Sequence, residues 1–148
     1  MKKMLLIAVV VGIMCLFVSV GIYAGTTVSD VIKMENKAYT EHTKGIVEFS
    51  HKKHAEDYKA ACGDCHHDKD GKPLALKAGD NVQGCIECHK IPGEKPKGKD
   101  APKLTDKEEL QYHAEALHQN CQGCHKEFKK KNPATEAPTT CVKCHPKK

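Results

Sequence analysis

Apolar and polar positions are distributed unevenly along the chain. Lys2 and Lys3 precede a run from Met4 to Val20 that is apolar apart from Gly12, Cys15 and Ser19. Small residues follow at Gly21, Ala24 and Gly25, which is the layout of a secretory signal segment, residues 1–24, cut after Ala24. An uncleaved anchor is the alternative, because the run is close to the length that spans a bilayer. Cys15 lies inside this run and reads as apolar filler. Beyond it the apolar pattern thins out. Val47-Glu48-Phe49 alternates briefly and predicts the end of a short strand. Thr105-Asp106-Lys107-Glu108 has capping-box spacing and predicts a helix running to about His118, with Leu110, Ala114 and Leu117 on one face. Pro92 to Pro102 and Asn132 to Pro138 are rich in turn residues and read as connecting loops.

Composition sharpens this picture. Residues 25–148 contain 16 Leu, Ile, Val and Phe in 124 positions, or 13%. That is below the roughly 20% at which burial of apolar side chains alone ceases to sustain a fold. An enzyme core of packed strands and helices is therefore not expected, and something other than side chains must supply the core. All 24 basic residues of the chain are lysine, and 22 of them face 19 acidic residues in this stretch. The resulting charge of +3 is too small to indicate a nucleic-acid partner.

The cysteines name the missing material. Eight fall into four units, Cys62-Gly-Asp-Cys65-His66, Cys85-Ile-Glu-Cys88-His89, Cys121-Gln-Gly-Cys124-His125 and Cys141-Val-Lys-Cys144-His145. Each is the C-x-x-C-H sequence of covalent c-type haem attachment. Two thiols two residues apart can form thioethers with the two vinyl groups on one porphyrin edge. The next residue then lies beneath the iron as its proximal imidazole ligand. Zinc ribbons are a competing reading, since 19 residues separate Cys65 from Cys85 and 16 separate Cys124 from Cys141. A disulfide framework and thioredoxin-like redox motifs are two others. None of the three needs a histidine after every pair. With ten histidines in 148 residues, that coincidence has odds of about 2 in 100,000. Four haem c groups are the expectation.

Six histidines remain for the opposite faces of the irons: His42, His51, His54, His67, His113 and His118. Methionine is the other common sixth ligand, but of Met1, Met4, Met14 and Met34 only Met34 lies beyond the signal segment. Bis-histidine ligation of all four haems is the economical reading, and it implies low potentials. His66 and His67 are adjacent and cannot occupy opposite faces of one haem, so His67 as a ligand must reach another iron. His51 and His54 would likewise serve two haems. On a helix His113 and His118 are about 140° apart and cannot serve the same one. Asp68 and Asp70 before Gly71 resemble half a calcium loop, but its twelfth position is Lys77, and an ordinary turn is expected.

Phe49-Ser-His51-Lys-Lys-His54, the Cys62–His67 site with its doubled histidine, and Tyr112-His113 to His118 ahead of Cys121 together resemble the class III tetrahaem cytochromes c, the cytochrome c3 family. The resemblance spans roughly residues 28–148. It implies a small, mostly irregular fold with a few short α-helices and little β-structure, wrapped around four haems. It also implies that His51 ligates haem one, His54 haem three, His67 haem two and His118 haem four. The gap from His118 to Cys121 is shorter than in many members and leaves His113 as the alternative. Many members also separate the cysteines of the second and fourth sites by four residues, whereas two separate them here. The family's role implies a periplasmic electron carrier, not an enzyme, exchanging electrons with hydrogenase, other dehydrogenases and further redox proteins. Docking of an acidic partner is expected near Lys126, Lys129, Lys130, Lys131, Lys143, Lys147 and Lys148. A membrane role is expected only if the N-terminal segment is retained. A small multihaem reductase, for example of metal ions, with one open haem is the alternative function.

Overall fold

A computed structural model describes residues 28–148; the export segment expected at residues 1–24 lies outside the described residues. The elements are few and short. Strands β1 (Ile32–Lys33) and β2 (Glu48–Phe49) pair antiparallel, Ile32 opposite Phe49 and Lys33 opposite Glu48. The strand anticipated from the Val47–Phe49 alternation is β2. Helix α1 (His51–Glu56) follows at once, and its end is closed by Lys59 in the left-handed region at φ 56°, with the Ala60 N–H bonded to the His54 carbonyl at 2.9 Å. A 3₁₀ turn (Cys62–Asp64), α2 (Cys85–Cys88), α3 (Asp106–Glu109), α4 (His113–Lys131) and α5 (Cys141–Cys144) are the remaining elements among the described residues.

The helix expected from Thr105 to His118 is two helices, and the second runs well past His118. Its start is as the capping box requires: the Thr105 hydroxyl accepts from the Glu108 N–H, and the Glu108 carboxylate accepts from the Thr105 N–H at 2.8 Å. The break after α3 has a non-local cause. Ile91 pairs in parallel with Tyr112, its N–H bonding to the Gln111 carbonyl and its carbonyl accepting from the His113 N–H. Backbone groups at residues 111–113 that would have continued the helix are bonded to the loop after α2 instead. The helix then resumes at His113 and reaches Lys131, because Pro133 disfavours helical geometry at Asn132.

Polypeptide packing supplies almost no interior. Among the described residues only Ala116 and His113 are buried, both at the start of α4. The elements behave as a frame that orients side chains, in keeping with the poverty of large aliphatics. The half-calcium sequence is a turn: Asp68 Oδ1 accepts from the N–H groups of Asp70 and Lys72, both at 2.9 Å.

Candidate functional site

Each cysteine pair is wound on one helical turn, and in three of them the turn carries the histidine with it. The N–H of His66 bonds to the Cys62 carbonyl, that of His89 to Cys85 and that of His145 to Cys141, at 2.8, 2.9 and 2.8 Å. The third unit, Cys121 to His125, lies within α4. Acidic residues between the cysteines help to start two of these turns. Asp64 reaches back to the Ala61 N–H at 2.8 Å and Glu87 to the Gly84 N–H at 3.1 Å. Gly63 is required in the first unit by close packing, since a Cβ there would lie 2.9 Å from the Pro73 side chain and 3.0 Å from the Leu74 carbonyl. A cleft of about 370 Å³ opens at this unit, lined by Cys62, Pro73, Leu74 and Leu76 among others.

The histidines of the four units each face one of the spare histidines. Ring centroids are 6.4 Å apart for His51 and His66, 5.8 Å for His67 and His89, 6.1 Å for His54 and His125, and 6.3 Å for His118 and His145. Two metal–imidazole bonds of about 2 Å, plus about 1.2 Å from each nitrogen to its ring centre, require a spacing of about 6.4 Å. The four pairs therefore suit one iron between each two rings. His66 and His67, adjacent in the chain, belong to different pairs. Helix α1 delivers His51 and His54 to two pairs, and α4 delivers His118 and His125 to two.

Five of these eight rings are oriented by a bond from Nδ1–H to a backbone carbonyl. His54 donates to Ser50 at 2.8 Å, His67 to Asp68 at 2.7 Å, His125 to Pro138 at 2.7 Å and His145 to Gly45 at 2.8 Å. His89 donates to the Leu110 carbonyl at the end of α3. Such a bond fixes the tautomer, leaves Nε2 free as a ligand and raises its basicity. Burial, and then the neighbouring His51 and His67, hold His66 below the ordinary imidazole range, so its ring is neutral at pH 7 and able to ligate.

His42 and His113 are placed elsewhere. His113 Nδ1 is hydrogen-bonded with the Tyr39 hydroxyl at 2.8 Å, and His42 stacks on the Tyr39 ring at 5.0 Å with planes 15° apart. It is His118, not His113, whose ring meets His145. Tyr39 and the five carbonyl acceptors carried no signal in the sequence, because each acts through contacts set by the fold.

The zinc reading requires three or more ligands around one point. Among the described residues no group of three His, Cys, Asp or Glu side chains is so gathered. The eight cysteines among the described residues form no disulfide with one another. The thiols of different units nonetheless approach one another beside α4. Loss of hydration, with repulsion from Cys65, Cys144, Cys85 and Cys124, pushes Cys121 up to about 11.

Residues 27–145 match the class III cytochrome C family. The chain belongs to that family. No individual curated protein matches the chain. As a class III cytochrome c it is a multihaem electron carrier, and membership of the family implies covalently bound haem c. The small, largely irregular fold with short helices and a two-stranded sheet is the one the sequence led us to expect. Lys126, Lys129 and Lys130 line a cleft of about 570 Å³ with Gly123, Glu127 and Thr139, between the third and fourth units of the cytochrome.

Proposed function

We propose that the protein is a periplasmic, low-potential electron carrier with four covalently attached haems, each held between two histidines. Haem iron takes up or releases one electron per centre and, when bound, supplies the whole of the redox chemistry. The polypeptide binds, orients and tunes. Cys62 and Cys65, Cys85 and Cys88, Cys121 and Cys124, and Cys141 and Cys144 form the thioethers. His66, His89, His125 and His145 ligate from the attachment side, opposed by His51, His67, His54 and His118. The observation that carries this reading is the set of four ring pairs, each spaced for a single iron.

Two histidines per iron leave no position for a substrate, which favours a carrier over a reductase. Electrons come from a hydrogenase or another dehydrogenase and leave to a further redox protein. Lysines on the C-terminal half of α4 and around α5 orient an acidic partner there. The first 24 residues direct export and are removed, which agrees with the typical periplasmic location of class III cytochromes.

A pyridine haemochrome assay with intact mass of the exported protein tests the count and the cleavage together. Four haems on a chain beginning at Gly25 are expected. Carbon monoxide added to the reduced protein tests ligation: an unchanged visible spectrum is expected, whereas stoichiometric binding at one haem would favour the reductase.

A further inference from the structure

Gly45 lies in the connection between β1 and β2, one hundred positions from His145, and its carbonyl accepts the His145 Nδ1–H bond at 2.8 Å. The same residue sits directly against Pro146. A Cβ built on Gly45 would lie 2.0 Å from the Pro146 carbonyl oxygen, 2.9 Å from its carbon and 3.1 Å from its Cγ. Among the described glycines no other is approached so closely. The nearest obstacle is backbone, not the end of a flexible side chain, so a larger residue cannot be accommodated by rotation. Gly45 is therefore glycine for want of space.

The segment that carries it is held in place independently. The Met34 N–H bonds to the Val47 carbonyl at 2.9 Å, and the β1–β2 pair follows directly. On the other side, Pro146 confines His145 to extended geometry, φ −102° and ψ 110°, where α5 ends. The ring of His145 is thus fixed from two directions, through its backbone by Pro146 and through Nδ1 by Gly45.

We propose that Gly45 is a positioning residue for the fourth haem, tuning its potential by holding a carbonyl on the Nδ1–H of His145. The proposal rests on ligation of that haem by His145 and His118. A carbonyl accepting from Nδ1–H increases the electron donation of Nε2, which stabilises the ferric more than the ferrous state. Loss of the bond therefore raises the potential. Gly45→Ala removes no ligand but forces the Gly45 and Pro146 backbones apart, which breaks the bond between the His145 Nδ1–H and the Gly45 carbonyl.

The test uses the haem-loaded protein. In the parent, reduced and uniformly labelled with nitrogen-15, the His145 ring should show Nε2 bound to iron and an Nδ1–H that exchanges slowly with deuterium. In Gly45→Ala the fourth haem's reduction should shift about tenfold towards the ferrous state, about +59 mV for one electron. The other three potentials should stay unchanged. Rapid exchange of that Nδ1–H in the parent overturns the proposal whether or not the variant folds. So does an unchanged fourth potential, or a rise spread over several haems, which would mark general loosening. If His145 Nε2 carries no iron, the failure belongs instead to the ligation proposed above.

Discussion

His66 and His67 are joined by one peptide bond yet face away from a common partner: the first meets His51 and the second meets His89. A bond of Nδ1–H to the Asp68 carbonyl turns the second ring outward from the first unit. On the proposed ligation, two haem sites would thereby be tied at consecutive residues.

Replacing His67 with Met should raise one potential, that of the haem attached through Cys85 and Cys88, and leave four haems bound. Methionine is the weaker donor to ferric iron and favours the reduced state. Potentiometric titration followed by NMR assignment checks this. Four potentials equal to those of the parent would make His67 a surface residue.

The ring pairs differ in the angle between their planes. His54 and His125 are 28° apart, whereas His118 and His145 are 83° apart. Nearly parallel rings separate the two iron orbitals that take part in π-bonding, and nearly perpendicular rings leave them close in energy. The oxidised protein should therefore give a rhombic low-spin EPR signal from the third haem and a strongly anisotropic, large-g signal from the fourth. His118→Met should abolish the second signal alone, and His113→Gln should abolish neither.

His113 contributes to pH-dependent stability. Its burial, with His89 nearby, holds it below the ordinary imidazole range. As pH falls through about 6.5, the unfolded chain takes up a proton that the folded chain refuses. Stability is complete above that pH and declines as pH drops towards the folded value. Thermal melts of the haem-loaded protein between pH 7.5 and 5 should show a shallower decline in His113→Gln than in the parent. Tyr39→Phe, which strips the buried ring of its hydroxyl partner, should cost about 1 to 2 kcal/mol at pH 7.5.

Much of this arrangement could be read from residue order, and what could not has a common cause. The C-x-x-C-H turns, the facing of His66 and His67 towards different rings and the β2 strand are local features, legible from spacing alone. The interruption of the helix between Glu109 and His113 is not, because its cause is Ile91, some twenty residues upstream. The pairing of His113 with Tyr39 and the orientation of His145 by Gly45 likewise join residues far apart in the chain. Propensity favoured a continuous helix, and tertiary hydrogen bonds overrode it.

Without haem the chain should not fold. Among the described residues only Ala116 and His113 are buried by polypeptide, too little to offset chain entropy. Protein expressed without haem maturation should give a far-UV CD spectrum of an unfolded chain and narrow amide proton dispersion. A cooperative thermal transition in that material would refute this.

Lysines of α4 should govern encounter with a donor. Lys130 is paired with Glu127, and Lys129 is partly covered, so the exposed charge at the cleft is smaller than the sequence suggests. Reversing Lys129, Lys130 and Lys131 to Glu should still slow electron uptake from an acidic hydrogenase at low salt and flatten its salt dependence. An unchanged second-order rate in stopped-flow measurements would place electron entry elsewhere.

On the ligation proposed above, the ring pairs would also set an order for maturation. A chain threaded out amino end first contains both partners of the first two pairs once residue 89 has emerged, since these join 51 with 66 and 67 with 89. His54 must wait for His125, and the last pair waits for His145, close to the carboxyl end. His54 sits one helical turn from His51, whose own partner arrives early. On that ligation an imidazole without its partner would lie one helical turn from a ligand of the first haem until α4 is delivered, and maturation would have to keep it off the wrong iron.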